Sequence, residues 1–540
     1  MTAPARADAL ARLLGAPPDA AVLDADERAE PWPEGERILA EYGLGAEFVP
    51  VAHGGRLDRF DHLVEVLRSV YRRDPALGLG YGVGSFIAAA AVWTAGDERQ
   101  TASAARTLLS GGRIAAAFHE TAHGNDLAAV DCAATPTPDG LLLHGRKEVV
   151  ANIGRAEALV VFARTDPRPG PRAHSLLLLD RATVRDATDL PRHATTGMRG
   201  VLLGGLDFDH VPVPADSVLG GLGTGLETAL KAFQVTRATL PAMATGVLDT
   251  ALRIAVDHLS TRRLYGGTAL DLPHVRSVLA GVFTDLLRAE VFAAVALRAL
   301  HLAPGSAGLY SAAVKIAVPR LLLDAVDRLA DLLGAHFYLR GGPSGLFQKL
   351  LRDLAPVGFG HVARAACQST LLPQLPRLAA RGWTTPTPVP DGLFTLDGDL
   401  PPAAFDRFTL HAGGRDPLAA AVADEDRPDL ADLAASCASL RPADLGVTAT
   451  PAHYDLTTRY VRLLARTTWR RAHLDHPARG FLADPAWSRA ALHRSDHPRV
   501  PLPEPLAEAV LGELLERHRA GRSFGLTART PTARPDSREE

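Results

Sequence analysis

His119, Glu120 and His123 form an H-E-x-x-H pattern, the first group of residues in the chain whose spacing could support chemistry. On a helix this spacing places two imidazoles on one face as zinc ligands, with the glutamate beside them as the general base of a peptidase. Here the pattern is followed at once by G-N-D and then by a turn-rich stretch, so no helix of useful length is predicted. We therefore expect a polar loop and no metal site.

Two glycine-rich stretches could bind a nucleotide, LGLGYGVG at 77–84 and LGGLGTG at 219–225. The first is not followed by a β-α-β pattern, so a Rossmann site is not predicted. The second is expected to join a β domain to the next helix. The sequence contains no G-x-x-x-x-G-K-[ST], which argues against a P-loop nucleotidase.

The composition narrows the classes of function. The 540 residues include 58 Lys and Arg against 61 Asp and Glu, a formal net charge of −3, so nucleic acid is not expected as a partner. Hydrophobic residues at 47% and charged residues at 22% are typical of a folded protein able to bury several cores. The three cysteines, Cys132, Cys367 and Cys437, are odd in number and far apart, so we expect no disulfide framework and a cytoplasmic protein.

Signals for export or membrane insertion are weak in this sequence. The first residues carry an early acidic residue and lack the long apolar core of a signal peptide. The apolar run SFIAAAAVW at 85–93 is shorter than the 18 or so residues that a membrane span needs. We therefore expect no membrane span.

The secondary structure that must position the candidate residues is predicted to change along the chain from helices to strands and then back to helices. LDRFDHLVEVLRSVYRR places apolar residues at three- and four-residue steps, while Asp139-Gly140 between a Pro-rich lead and an apolar run predicts a hairpin. The fold class is predicted as α+β, mostly α. The expected divisions are an N-terminal α domain at 1–125, a small β domain at 126–224, a helical bundle at 225–385, and a linker with a C-terminal helical extension and disordered tail at 386–540.

Several short motifs follow one another in a fixed order within this α, β, α pattern. They are GDERQ at 96–100 with LLSG at 108–111, HETAHGND at 119–126, KEVVAN at 147–152, FDHVPVP at 208–214 with LG at 219–220, RRLYG at 262–266, and LG at 333–334 with RD at 352–353. In types and order they resemble the motifs of the acyl-CoA dehydrogenases and acyl-CoA oxidases. The resemblance covers roughly residues 55–385.

The resemblance implies a flavin enzyme with FAD between the β domain and the helical bundle. It implies an acyl thioester substrate, on CoA or an acyl carrier protein, and a homodimer or homotetramer. By position in the matching motifs, the cofactor-binding residues implied are His119, Gly124, Asn125, Ala151, Asn152, Arg262, Tyr265 and Gly334. Arg262 would bind the pyrophosphate across a dimer interface, since a planar guanidinium suits a diphosphate.

The chain also departs from the family pattern. His119, Asn125 and Ala151 stand where the family has hydroxyl residues, so flavin binding is expected to be altered. The family's catalytic glutamate is absent: its usual position falls on His361, and its other known position falls in VTR at 235–237. A neutral imidazole titrates near working pH, so His361 is the candidate base, with a structural histidine as the alternative.

These observations favour FAD-dependent α,β-desaturation of an acyl thioester. Because the usual glutamate is missing, two alternatives stay open. One is a flavin-dependent monooxygenase on the same fold, whose chemistry does not need that glutamate. The other is a paralogue that binds thioesters without turnover. The zinc peptidase is the last hypothesis, because the sequence context of its motif is wrong.

Overall fold

The computed structural model describes residues 1–360, 362–385, 387–396, 398–446, 448–474 and 480–529. His361 and the tail from residue 530, which was expected to be disordered, lie outside the described residues. The predicted fold class is confirmed: helices dominate, and one curled sheet lies between two helical regions.

The N-terminal region is made of helices and includes one long apolar helical segment. They are α1 (Ala3–Gly15), α2 (Asp19–Glu27), α3 (Pro33–Tyr42), α4 (Phe60–Arg73), α5 (Pro75–Leu77), α6 (Gly84–Ala95) and α7 (Glu98–Leu109). Asp97 and Gln100 cap α7 reciprocally, the Gln100 amide N–H donating to Asp97 Oδ1 at 2.7 Å. The Gln100 side chain also donates to the carbonyls of Asp216 and Val218, so this motif glutamine fastens α7 to the segment that follows the sheet.

The segment Pro75–Ala95 is one helical run in which a π-helical turn, Gly78–Val83, joins α5 to α6. It has a length of 21 residues and a mean hydropathy of 1.5, which by themselves would allow it to cross a membrane. Inside the protein, however, 89% of its most apolar window is buried. It is therefore built as a core helix, which explains why the SFIAAAAVW run is so apolar.

The sheet has seven strands in the order β1-β4-β2-β3-β7-β6, with β5 paired to β4. They are β1 (Ile114–Ala117), β2 (Ala133–Thr137), β3 (Gly140–Ala151), β4 (Ala158–Arg164), β5 (His174–Asp180), β6 (Thr188–Leu190) and β7 (Leu203–Val213). The predicted hairpin is confirmed, since β2 and β3 pair in antiparallel register from Thr137 and Gly140 at the turn. β1 runs parallel to β4 and lies ahead of the expected boundary at 126.

The bundle is made of long helices that pack against one another and against the N-terminal region. They are α8 (Gly225–Thr261), α9 (Pro273–Leu302), α10 (Ala307–Leu333) and α11 (Gly342–Leu354), with a two-stranded hairpin, β8 (Arg263–Leu264) and β9 (Gly267–Thr268), after α8. α8 contacts α4, α6, α9 and α10. Most of its residues are buried, which explains why its sequence is largely apolar.

Two short helices, α12 (Arg364–Leu371) and α13 (Leu375–Arg377), follow α11 within the range expected for the bundle. The C-terminal extension consists of further helices packed on the bundle. They are α14 (Leu418–Ala421), α15 (Arg427–Ala438), α16 (Pro451–Leu474), α17 (Pro485–Asp496) and α18 (Glu504–Arg519). Buried Arg494 of α17 donates to Asp285 of α9 at 2.8 Å. Burial alone would raise the pKa of Asp285, but Arg288, Arg494 and Arg328 hold it at about 2. The described extension is therefore fastened to the bundle by a buried ion cluster.

Candidate active-site cleft

A cleft of about 960 Å³ lies where the N-terminal helices, the sheet and the bundle meet. Tyr71 of α4 and Ile87 of α6 form one wall, and Val149 of β3 forms another. Leu240 of α8 and the segment 355–360 after α11 close the remaining side. Its volume is at the upper end of the range of small-molecule and cofactor sites.

Four of the residues implied by the family motifs line this cleft: His119, Gly124, Asn125 and Ala151. They come from the loop after β1 and the end of β3, which are far apart in sequence. Gly124 has φ +54° with open space where a Cβ would stand, so glycine suits the backbone there and leaves the cleft open. Asn152 is buried behind Ala151, also at positive φ, and its amide donates to the carbonyl of Gly80.

The H-E-x-x-H residues lie in an irregular turn and not on a helix. His119 Nδ1 lies 3.2 Å from the carbonyl oxygen of Gly124, whereas His123 Nε2 lies 2.9 Å from Asp131 Oδ2. The two imidazoles therefore have separate partners. Burial lowers the pKa of His119, so this side chain presents a neutral imidazole to the cleft at pH near 7.

Glu120 is the one carboxylate among the described residues that line the cleft, and it is fully engaged. It accepts from Lys147 Nζ at 2.8 Å and from the backbone N–H groups of Asp131 and Cys132 at 2.8 and 3.1 Å. Lys147, with no exposed surface, also donates to the carbonyl of Phe118. This buried ion pair holds the loop after β1 in place. Because both carboxylate oxygens of Glu120 already accept hydrogen bonds, Glu120 is not available as a base.

The R-D pair of the sequence supports a different wall of the cleft. Arg352 donates to the carbonyl of Thr196 at 2.9 Å, and Asp353 accepts from the backbone N–H of Met198 at 2.5 Å. Lys349 Nζ in turn lies 2.5 Å from both Asp353 and Asp74, all three being buried. The triad of Lys349, Asp74 and Asp353 therefore ties α11, the start of α5 and the loop that carries Met198.

Lys315 of α10 holds the remaining wall. Its buried ammonium donates to the carbonyls of Val357 at 2.8 Å and Gly360 at 3.1 Å. Among the described residues no carboxylate pairs with Lys315. Burial, and to a lesser extent nearby Arg237, lower the pKa of Lys315 to about 8.

Lys315→Met is expected to remove a pH-dependent part of the stability. The pKa of Lys315 is lower in the folded than in the unfolded chain, so between about pH 8 and 10 the unfolded chain binds more protons and the free energy of unfolding rises with pH. In urea unfolding, the stability of the wild type relative to Lys315→Met should rise by up to about 1.4 kcal/mol per pH unit in this window. A difference that does not change with pH would contradict this, and Lys231→Met on the surface is the control.

Three residues implied by the motifs lie away from the cleft. Arg262, at the end of α8, lies 3.1 Å from the ring nitrogens of His336. Tyr265, in the β8–β9 hairpin, is 93% exposed, and Gly334 ends α10 at φ +57°. His361, the candidate base, lies outside the described residues, but its neighbour Gly360 lines the cleft.

Tyr71 is a cleft residue that the sequence did not single out. It lies in the apolar stripe of α4, where the sequence pattern predicts an ordinary core residue. A tyrosine among the aliphatic residues of such a stripe is the available signal, because a buried hydroxyl needs a partner. Burial raises the pKa of Tyr71 above the range in which phenols ionise in water, so it remains a neutral donor.

Parts of this chain are similar to known proteins. Residues 223–359 match the family described as "Acyl-CoA dehydrogenase, C-terminal domain". Mitochondrial isovaleryl-CoA dehydrogenase of Oryza sativa subsp. japonica is 24% identical over 346 residues, 64% of this chain and 83% of that protein.

Two solved structures are similar in fold over much of the chain. An acyl-CoA dehydrogenase complexed with FAD from Bacillus anthracis superposes with a TM-score of 0.71 at 16% identity, covering 92% of this chain and 84% of the other. A prolyl acyl carrier protein oxidase superposes with a TM-score of 0.59 at 19% identity, covering 64% and 91%. The first match therefore includes most of the C-terminal extension.

Proposed function

We propose that this chain is a member of the acyl-CoA dehydrogenase family and that it oxidises an acyl thioester by FAD-dependent α,β-desaturation. The observation that carries the proposal is the cleft at the junction of the three regions. His119, Gly124, Asn125 and Ala151, which the family motifs assign to the flavin, line this one cavity.

The residues present fit FAD. The cleft is large, its walls are mostly apolar, and Gly124 leaves room at the loop that would pass the ring. At the positions where the family motifs have hydroxyl side chains, this chain offers backbone groups and the imidazole of His119. Because its Nδ1–H faces the carbonyl of Gly124, neutral His119 keeps Nε2 as an acceptor for one hydrogen bond, which replaces part of what the missing hydroxyls would provide.

The chemistry divides between cofactor and protein. Bound FAD would supply the hydride acceptor for the β-hydrogen of the acyl group. The chain must remove the α-proton, and we assign that step to the neutral imidazole of His361. Lys315 holds the carbonyl of the preceding residue, Gly360, which itself lines the cleft. Apolar residues such as Leu240 and Val357 exclude water from the reacting carbons.

The substrate is proposed to be an acyl group on CoA or on an acyl carrier protein. Both carriers present the same pantetheine thioester, and the two kinds of relative act on one or the other. We place the enzyme in the cytoplasm, because Cys132, Cys367 and Cys437 are all free thiols in the buried interior.

A homodimer is proposed as the functional unit, with a homotetramer as the larger alternative. Arg262, Tyr265 and Gly334 are away from the cleft of their own chain. Tyr265 and Tyr338 expose 93% and 75% of their surface, which is unusual for large aromatic side chains outside an interface. A second copy would bring Arg262 to the pyrophosphate of its partner's FAD.

Arg262→Ala is expected to raise the Kd for FAD by about 10- to 100-fold, because a charge-assisted hydrogen bond to the diphosphate is lost. Its neighbour Arg263, an exposed arginine one residue along the chain, provides the matched control. Arg263→Ala should change the Kd by less than about two-fold. Flavin fluorescence during titration of the apoprotein measures both. Equal Kd values for the two variants would remove Arg262 from the FAD site.

The absence of a free carboxylate among the described cleft residues favours the monooxygenase as a second candidate. The visible spectrum of the purified protein, before and after adding FAD, is the first test. Anaerobic bleaching by an acyl thioester supports desaturation, whereas a flavin reduced only by an external donor, with oxygen incorporated into product, supports the monooxygenase. A protein that stays colourless with FAD supports the non-catalytic paralogue and contradicts both enzymes.

A further inference from the structure

An exposed face of the sheet carries two imidazoles and a carboxylate that lie close together. They belong to His144 on β3 and to the consecutive residues Asp209 and His210 on β7. One ligand atom of each side chain lies within 4.8 Å of those of the other two. The side chains of His144, His210 and Asp209 are 58%, 61% and 89% accessible, and none of them lines the cleft. This group is therefore open to solvent and separate from the cleft.

A β-bulge brings the three side chains together. The register of β3 against β7 shifts at residues 143–145, so Asp209 and His210 stand together opposite His144. Consecutive residues of a regular strand point to opposite faces, but here Asp209 and His210 are both exposed, between buried neighbours on either side. His210 has φ +51°, a left-handed conformation that is uncommon outside glycine. The backbone is thus bent so that both side chains join His144 on one face.

The two imidazoles direct nitrogen atoms at the same carboxylate oxygen. Nδ1 of His210 lies 2.7 Å from Asp209 Oδ1, and Nδ1 of His144 lies 3.8 Å from the same atom. The two rings stack, with centroids 4.4 Å apart and an angle of 28° between their planes. Ligand atoms about 2.0 Å from a tetrahedral zinc ion lie about 3.3 Å from one another. The two observed distances lie on either side of this value, so small side-chain rotations would bring the three groups into coordination.

The charge of Asp209 also favours a cation. Among the described residues its ion-pair partners are these two imidazoles, and no lysine or arginine pairs with it. Arg146, two residues beyond His144 on β3, pairs with Asp207 at 2.7 Å instead. A divalent cation would supply the positive charge that this carboxylate lacks. Imidazole nitrogens suit transition metals such as Zn²⁺, whereas Mg²⁺ and Ca²⁺ prefer oxygen ligands.

A second group of possible ligands, made of Glu120, His123 and Asp131, does not offer the same set. Both oxygens of Glu120 already accept hydrogen bonds, one of them from buried Lys147. That leaves one imidazole and one carboxylate, those of His123 and Asp131, which pair with each other at 2.9 Å. The group around His144 is therefore the better ligand set, although it lies outside the H-E-x-x-H pattern.

We propose that His144, Asp209 and His210 form a binding site for one divalent transition-metal ion, represented by Zn²⁺, with water in the fourth position. Three protein ligands and one water are a known arrangement around zinc. The ion would join β3 to β7 across the bulge and stabilise the sheet at that point, because it binds the folded chain. The site lies outside the cleft, so the inference does not depend on the proposed function.

The test is a calorimetric titration with Zn²⁺ of the full-length protein after dialysis against a chelator. The titration is done at about pH 7.5, because metal binding needs deprotonated ligands. The wild type should bind one ion most tightly, and His144→Ala and His210→Asn should each raise the Kd of that ion by at least about 10- to 100-fold. Asparagine tolerates a positive φ, so the second variant keeps the bulge. Excess Mg²⁺ should not compete.

His123→Ala is the matched control, because it removes the imidazole of the second group and should keep the wild-type Kd. Zn²⁺ should raise the Tm of the wild type and of His123→Ala, but not that of His144→Ala. Thermal unfolding without metal checks that each variant folds.

A wild type that binds no Zn²⁺, or a His144→Ala variant that keeps the wild-type Kd, would overturn the inference. A Kd that rises only in His123→Ala would place the ion at the second group and would overturn it as well. None of these results changes the expected oxidation of a thioester, which the flavin experiments test separately.

Discussion

Replacing His361 by alanine is expected to lower kcat for thioester oxidation by about 10²- to 10⁴-fold, the usual effect of removing a general base. Flavin content should stay the same, because the residues assigned to FAD lie on other segments. The adjoining Gly360 lines the cleft, and its carbonyl accepts a hydrogen bond from Lys315. Since the base must be neutral, the wild-type rate should rise with pH through the imidazole's pKa.

Two further histidine variants make this prediction specific. His493→Ala, in the last turn of α17 and outside the residues that line the cleft, should leave kcat unchanged. His119→Gln tests the rival imidazole, which lines the cleft and is neutral because burial lowers its pKa. If kcat falls in the His119 variant and not in the His361 variant, the base is His119. If both variants keep full activity, proton removal by imidazole is excluded.

Replacing Lys349 by methionine is expected to lower the free energy of unfolding by about 3–5 kcal/mol, as for other buried ion pairs that lose one partner. Asp74 and Asp353 would be left in the interior without a cation. Burial and Asp74 already raise the pKa of Asp353, against the opposing effect of Lys349. Without the lysine, the pKa of Asp353 must rise further above its unfolded value. Stability is then retained at low pH and lost as pH rises, so the deficit should be larger at about pH 8 than at about pH 5.

Lys231→Met is the matched control for this change. Lys231 pairs with Glu227 at 2.7 Å on the exposed side of α8, with 27% and 51% of the two side chains accessible. Pairs of this kind contribute about 0–1 kcal/mol. Urea unfolding of both variants measures the difference. Equal losses in the two, or a Lys349→Met deficit that shrinks as pH rises, would contradict the role assigned to the triad.

The elements with strong periodicity or turn chemistry were predictable from sequence. The apolar stripe of α4, the Asp139-Gly140 hairpin and the long helices of the bundle are all found where the patterns indicate them. The short strands β1 and β6 were not predicted. β1 is an Ile-Ala-Ala-Ala run with no alternation, and it is a strand because β4 lies beside it in parallel register.

The chain has four lysines. From the sequence alone, this small number indicates a bias in amino-acid composition. Lys147, Lys315 and Lys349 are 0–2% exposed, and each supports a different wall of the cleft, while Lys231 lies at the surface. An ammonium is a compact point charge that can serve two or three acceptors within a small buried space, which a planar guanidinium cannot do as readily. The role of each lysine depends on the residues that surround it in the folded protein.

The sequence by itself determined the α, β, α order of elements, the family motifs and the absence of the usual catalytic glutamate. These properties depend on residue types and on their spacing along the chain, which are local features of the sequence. Only the tertiary structure decided that Glu120 pairs with Lys147, that the R-D pair supports residues 196–198, and that Gly78 makes room for the ring of Tyr71. Those facts depend on which distant segments meet, and a side chain's chemistry follows from its partners and its burial, which local sequence does not specify.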